Sequence, residues 1–334
     1  MPLLENMSDK ALVEVCDLRV YFGGRKNPLR AVDGVSLSVC HGETLGLVGE
    51  SGCGKSTLGR AILRLEEPCS GTIRFCGKDV ASLRGAGLQD FRRKAQMVFQ
   101  DPFGSLNPRI TVGGAIEEVL RVHMRKMNAQ ARRARAAGLF EAVGLDPAYL
   151  DRYPHEFSGG QRQRIGIARA LAVEPQLLIA DEPVSALDVS VQVQILNLLK
   201  DLKTQMNLSY IFVAHDLAVV RYVSDRVMVM YLGRIVESAP AGVLYGAPAH
   251  PYTEALLAAV PDVERGLRAR MEGRRRAALQ GDIPSATRII PGCPFHPRCP
   301  RVRDRCRVEV PALRDVAPGR QSACHFAETL LGGS

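Results

Sequence analysis

The stretch Thr44-Leu45-Gly46-Leu47-Val48-Gly49-Glu50-Ser51-Gly52-Cys53-Gly54-Lys55-Ser56-Thr57 decides how this chain folds. A short apolar strand runs into Gly, four residues of any type, then Gly-Lys-Ser, the pattern of a phosphate-binding loop. The glycines let the backbone curl into a nest of N–H groups that approaches phosphate oxygens with no Cβ in the way. A helix beginning near Gly54, with Leu58, Ala61, Ile62 and Leu65 at helical spacing, adds the positive end of its dipole. Lys55 reaches the β- and γ-phosphates as a point charge, and the Ser56 hydroxyl is placed to ligate Mg²⁺. A Gly/Ser turn is the plain alternative. The strand before it and the helix after it favour the nucleotide reading.

The 334 residues allow one large domain plus a smaller one. A hydrophobic content of 46% with 24% charged residues is that of a soluble globular protein. No run approaches the roughly 18 apolar residues of a membrane helix. Residues Met1 to Lys10 lack a signal-peptide profile, so the chain is expected in the cytoplasm unless a partner holds it at a membrane. The net charge of +9 raises nucleic acid as a partner. Its basic clusters, Arg121 to Arg135 and Arg265 to Arg276, carry no interleaved aromatics. They read instead as solvated helix faces and a basic tail, with no nucleic-acid partner expected.

Around the loop, alternation predicts strands over 11–22, 31–39 and 71–75. The first ends in Tyr21-Phe22-Gly23, where an aromatic ring can stack on a purine or simply pack at a sheet edge. Gln96 to Val98 is a strand running through Phe99 to the polar side chain of Gln100, followed by a loop rich in Gly, Ser, Asn and Pro. Helical stretches over 110–127 and 129–143 form an insert. Ser158-Gly159-Gly160-Gln161 then opens a helix to about residue 172, with Ser158 as N-cap and the glycines leaving backbone N–H groups at a second positive helix end.

Leu177 to Ala180 is a buried-type strand ending in Asp181-Glu182. A carboxylate there, beside a phosphate loop, holds Mg²⁺, and the next acid can polarise an attacking water. Asp188 caps a helix over 189–206 with Ile195, Leu198, Leu199, Leu202 and Met206 on one face. His215, after the strand 208–214, becomes a site candidate at the carboxyl edge of a parallel sheet. Two short strands, 226–231 and 234–237, follow.

With these motifs in this order, residues 11–260 resemble the nucleotide-binding subunit of an ATP-binding-cassette (ABC) transporter. The resemblance implies an α/β fold: a P-loop core sheet with flanking helices, an antiparallel β portion, a helical insert at about 110–170, and a small C-terminal tail over 261–334. It implies ATP and Mg²⁺ bound by the loop Gly49, Glu50, Ser51, Gly52, Cys53, Gly54, Lys55, Ser56 and Thr57. Phe22 stacks on adenine, with Tyr21 as rival. Ser56, Gln100 and Asp181 hold Mg²⁺, Glu182 is the catalytic base, and Gln100 also contacts the water. His215 touches the γ-phosphate. Ser158 to Gln161 close over the ATP of an opposite subunit, and Asp188 belongs to the connecting D-loop.

The segments Met97 to Arg109, Glu182 to Ser190, His250 to Thr253 and Gly292 to Pro300 are similar to the dipeptide/oligopeptide importer ATPases, in particular the second of two ATPase subunits that pair as a heterodimer. That resemblance implies two membrane permeases and an extracytoplasmic peptide-binding protein as partners, and a peripheral position on the cytoplasmic face of the inner membrane. Import of nickel or a metallophore is the alternative solute. A cassette ATPase acting on DNA or ribosomes is a rival from another class, opposed by the lack of sustained heptads between Lys55 and Ser158. A scaffold with a dead cassette is opposed by intact Lys55, Asp181, Glu182 and His215.

Five cysteines, Cys16, Cys40, Cys53, Cys69 and Cys76, are scattered and read as free thiols. Cys293, Cys299, Cys306 and Cys324 cluster among Pro and Arg in a segment too small for its own core. Four thiolates supply a full ligand set for zinc or an iron–sulfur cluster. The spacing is wider than in zinc ribbons, and similar tails in the importer subfamily imply a [4Fe–4S] cluster. Zinc, or thiols without metal, are the alternatives. A closed site of this kind reads as structural, holding the tail without taking part in hydrolysis.

Overall fold

In a computed structural model of the chain, which describes residues 11–24, 28–101, 104–259 and 284–332, the strand β3 (Thr44–Val48) is buried along its whole length. Before it run β1 (Ala11–Phe22) and β2 (Leu29–Cys40). After it come α1 (Lys55–Ile62), β4 (Ser70–Phe75), β5 (Lys78–Asp79), α2 (Gly85–Lys94) and β6 (Ala95–Val98). The insert consists of α3 (Val112–His123) and α4 (Ala129–Ala142) and leads into α5 (Gly159–Leu171). Then follow β7 (Leu177–Asp181), α6 (Val189–Met206), β8 (Ser209–Ala214), α7 (Leu217–Val223), β9 (Arg226–Tyr231) and β10 (Arg234–Pro240). The chain closes with α8 (Ala241–Gly246), α9 (Pro251–Ala259), α10 (Asp304–Val308), β11 (Arg314–Ala317), β12 (Arg320–Ser322) and α11 (Ala327–Leu331).

These elements divide into two compact units. One takes the chain up to Glu14 with Ser38–Thr44 and Ile73–Val213; the other takes Val15–Leu37, Leu45–Thr72 and Ala214 onward. In the first, β6, β7 and β8 are parallel neighbours, in register through Val98↔Ala180 and Asp181↔Val213. Their continuous apolar runs (Leu-Leu-Ile-Ala, Tyr-Ile-Phe-Val-Ala) are what a strand buried on both faces requires. Thr111 caps α3 by accepting the Gly114 N–H at 3.1 Å, and Asn128 caps α4 by accepting that of Ala131 at 2.8 Å.

In the second unit β3 pairs in parallel with β9, in register Val48↔Val229. The strand β9 turns back into antiparallel β10 through Leu232-Gly233, both at positive φ (45° and 78°). That is the geometry of a two-residue hairpin turn. Next, β12 pairs antiparallel with β10 (Glu237↔Ser322) and β11 with β12, so the C-terminal segment extends this sheet. In the first unit β4 and β5 pair antiparallel, in register Arg74↔Asp79.

The expected strands and insert helices are present with ends shifted by a few residues. The helix α1 ends at Ile62, so Leu65 lies beyond it and is exposed. On α6, Ile195, Leu199 and Leu202 are buried, whereas Leu198 and Met206 are half-buried. The helices α2 and α7 carry too short an apolar repeat to be read from sequence: α2 buries Phe91 and presents Arg92, Arg93 and Lys94 at its end. The basic cluster at 265–276 and the expected boundary near residue 260 lie outside the described residues.

Candidate functional site

The loop after β3 is shaped by close backbone approaches. A Cβ at Gly54 would stand 1.8 Å from the Ala31 carbonyl oxygen, and one at Gly49 would stand 2.2 Å from that of Met230. Gly54 also has φ 107°, so it is glycine on both steric and conformational grounds. The hairpin turn supports the loop from outside, since Gly233 donates its N–H to the Cys53 carbonyl at 2.9 Å. Lys55 is 4% exposed. Its Nζ donates to the Gly49 and Glu50 carbonyl oxygens at 2.8 and 3.0 Å and lies 3.8 Å from the Cys53 Sγ. Burial pushes the Cys53 thiol upward, so it stays neutral beside the ammonium. Among the described residues no side chain caps α1, and half-buried Ser56 and Thr57 stand in its first turn, at the positive end of the helix.

The carboxylates stand on the other unit. Asp181, at the end of β7, is 1% exposed. Glu182 has left the strand and adopts φ 45°, an uncommon conformation for a residue with a side chain. Its N–H donates to the Val213 carbonyl at 2.9 Å, and its carboxylate accepts the Gln100 side-chain amide at 2.9 Å. The amide and carboxylate singled out at the ends of two separate strands therefore form one pair. Ser158 and Gln161 form a reciprocal capping box on α5: Ser158 Oγ accepts the Gln161 N–H at 3.3 Å, and Gln161 Oε1 accepts the Ser158 N–H at 2.9 Å. Asp188 caps α6 through the Val191 N–H at 2.9 Å. In the loop-bearing unit, His215 follows β8 and is exposed, next to Asp216, which caps α7.

The two aromatics at the end of β1 differ. Tyr21 donates its hydroxyl to Asp33 at 2.6 Å, whereas the Phe22 side chain is 37% exposed. Burial raises the Asp33 carboxyl, but hydrogen bonds from Tyr21 and Arg234 outweigh it, and its pKa lies below the usual carboxylate value. Tyr21 is thus committed to a local network, and Phe22 is the ring presented to solvent.

Comparison with known proteins gives the family. The ABC transporter model matches residues 32–185, and the model of the oligopeptide/dipeptide transporter C-terminal region matches residues 236–306. The chain is 49% identical over 316 residues to the putative oligopeptide transport ATP-binding protein YkfD of Bacillus subtilis, covering 94% of this chain and 95% of that protein. The oligopeptide transport ATP-binding protein AppF of the same organism is 48% identical, with 96% and 98% covered. The chain belongs to the ABC transporter ATPases.

Solved relatives agree. The cassette MJ0796, in a dimeric post-hydrolysis state bound to ADP and Pi, superposes with a TM-score of 0.62 at 28% identity, over 69% of this chain and 98% of that one. This ABC ATPase therefore has the mixed α/β cassette fold and hydrolyses ATP in the service of transport. Among the described residues no helix is long and apolar enough to cross a membrane.

In this ABC ATPase the four C-terminal cysteines line one cavity of about 250 Å³, walled also by Phe295 and Phe326. Burial pushes Cys293 up to about 12 and raises Cys299 and Cys324 as well, with further upward contributions from neighbouring cysteines. Among the described residues no group of three or more His, Cys, Asp or Glu side chains is arranged to hold a metal ion. The four thiols line one cavity, and that arrangement by itself identifies neither a zinc ion nor a cluster.

One contact was not foreseen. The Glu50 carboxylate, in the middle of the phosphate loop, is paired with Arg298, 248 residues away. The loop pattern leaves that position unspecified, and no local spacing could have linked the two.

Proposed function

We propose that this ATPase powers uptake of dipeptides or oligopeptides through two separate permease subunits fed by an extracytoplasmic binding protein. It would work at the cytoplasmic face of the membrane as one half of an ATPase heterodimer. The observation that carries this reading is the match to the oligopeptide/dipeptide C-terminal region over residues 236–306, joined to near full-length similarity to peptide-transport ATP-binding proteins.

In this reading Lys55 leaves the carbonyls of Gly49 and Glu50 for the β- and γ-phosphates, and the N–H groups from Gly49 to Thr57 cradle their oxygens. Phe22 stacks on adenine; its exposure and the engagement of the Tyr21 hydroxyl favour it over its neighbour. Ser56, Gln100 and Asp181 would hold Mg²⁺, which screens the phosphate charge. Oxygen donors of these types suit that ion. Glu182 takes the proton of the attacking water, with Gln100 steadying its carboxylate. His215 contacts the γ-phosphate. Ser158 to Gln161 offer the α5 terminus to ATP on the partner cassette, with Asp188 in the connecting loop.

The four cysteines are assigned to a [4Fe–4S] cluster. Thiol-only ligation suits iron–sulfur or zinc, and the four cysteines line one cavity. Anaerobically purified protein should carry iron and sulfide with visible absorption, lost in Cys306→Ser. One zinc per chain and no colour would replace the cluster with an ion.

The transport assignment is tested by reconstituting the ATPase with its partner subunits in proteoliposomes. Peptides should accumulate and stimulate phosphate release. Accumulation of a nickel chelate in place of peptides would overturn the substrate class.

A further inference from the structure

The phosphate loop of this protein is held from the C-terminal segment. Arg298 Nη1 and Nη2 donate to the two carboxylate oxygens of Glu50 at 2.7 and 3.0 Å. The pair is well shielded, with the arginine side chain 5% and the glutamate 21% exposed. The same Glu50 donates its backbone N–H to the Tyr252 hydroxyl at 3.0 Å, and its carbonyl accepts from Lys55 Nζ. Backbone and side chain of one loop residue are thus fixed at three points, two of them from beyond residue 250.

Arg298 is itself held in place. It closes a short turn, His296–Arg298, bounded by two of the four clustered cysteines: the His296 N–H donates to the Cys293 carbonyl at 3.0 Å and the Cys299 N–H to the His296 carbonyl at 3.3 Å. Phe295, buried beside this turn, packs with ring centroids 5.3 Å from both Tyr231 and Tyr252. The guanidinium lies 5.9 Å from the Tyr231 ring centroid. A bidentate pair of this type is directional as well as strong.

We propose that Arg298 is a positioning residue for the phosphate-binding loop, through which the four-cysteine segment sets the affinity of the loop for MgATP. Two physical effects act together. The pair fixes the backbone at Glu50, so the N–H nest is pre-organised. It also neutralises a carboxylate that would otherwise repel the triphosphate in a poorly screened site. The inference rests on the assignment of Gly49 to Thr57 to the triphosphate, and Lys55→Ala tests that assignment separately.

The experiment measures MgATP affinity of the full chain with a fluorescent ATP analogue, and KM and kcat of the assembled transporter. Arg298→Ala should weaken binding by about 10-fold, within the usual range of site-to-site couplings, and raise KM more than it lowers kcat. Arg298→Lys should fall between it and wild type. Adding Glu50→Gln to Arg298→Ala should recover much of the loss, because the uncompensated carboxylate is gone; a merely structural role would leave that loss in place. Cys299→Ser should weaken binding in the wild-type chain and add little when Arg298 is already alanine. Wild-type affinity in a folded Arg298→Ala chain overturns the proposal, as does strict additivity of the Arg298 and Glu50 changes. An undiminished Cys299→Ser effect without Arg298 overturns the link to the cysteine segment. Wild-type binding by Lys55→Ala would instead overturn the loop assignment itself.

Discussion

Two helix termini in this protein carry glycines and backbone N–H groups at a positive dipole end, and they are finished differently. The terminus of α1 is uncapped by side chains among the described residues and has a buried lysine turned back onto the Gly49 and Glu50 carbonyls. The terminus of α5 is closed by its own capping box, Ser158 with Gln161. The loop that leads into the first is braced by distant residues, through Arg298 and Tyr252 on Glu50 and Gly233 on Cys53. The second has its Ser158 and Gln161 N–H groups satisfied locally by the capping box. On the proposed function, the two termini use the same dipole, one as a binding site within its chain, the other as a surface to be completed by a partner.

The comparison is broken most forcefully at Glu182, which shares its unit with α5. Glu182→Gln should keep MgATP binding at the loop while turnover of the assembled transporter falls about 10²–10⁴-fold, the usual worth of a general base. Phosphate release near wild type would remove the base assignment. The widest gap between binding and turnover is expected there.

The unit that carries α1 is also expected to be pH-sensitive. Glu237 is fully buried, and burial pushes its carboxyl from 4.5 up to about 7. A raised folded-state pKa means that stability is full below pH 4.5 and is lost as pH rises through 7. The loss at pH 8 is about 3 kcal/mol, at about 1.4 kcal/mol per pH unit. Glu237→Gln should therefore raise the melting temperature at pH 8 and much less at pH 5. An equal gain at both pH values would disprove the titration.

Lys55→Ala tests the open terminus directly. Hydrogen bonds to charged groups contribute about 1.5–3 kcal/mol, so nucleotide affinity should drop by roughly 10- to 100-fold in the single chain. Ser158→Ala is the counterpart at the closed terminus, with the smallest expected effect. It should cost about 1 kcal/mol of stability by loss of the cap, leave single-chain ATP binding unchanged, and lower activity once two cassettes assemble. If Ser158→Ala weakened ATP binding by the isolated chain, the two termini would not differ as described.

Much of this arrangement is local and therefore legible in the sequence. The apolar run Thr44 to Val48, the glycines of the loop and the run Leu177 to Ala180 before Asp181 encode backbone conformation and burial within a few residues, and the structure places those elements there. Ser158 and Asp188 are equally local, since a cap needs only the N–H groups two or three residues on. The four cysteines announced a shared environment through clustering and ligand type, but the cavity they line depends on how the tail folds.

Other features belong to the tertiary structure. Gln100 meets Glu182 across 82 positions, and Arg298 meets Glu50 across 248. The strand β12 finds β10 as its partner, and α2 and α7 are helices whose apolar repeat is too short to declare them. A side-chain pattern reports which face a residue buries; it does not name the distant group waiting on that face. The sequence determined the phosphate loop and the chemistry its residues can perform. Only the folded chain decided that Glu50, at a position the loop pattern leaves open, would be clasped by an arginine between two cysteines, because such a pair exists only when two remote segments share one buried space.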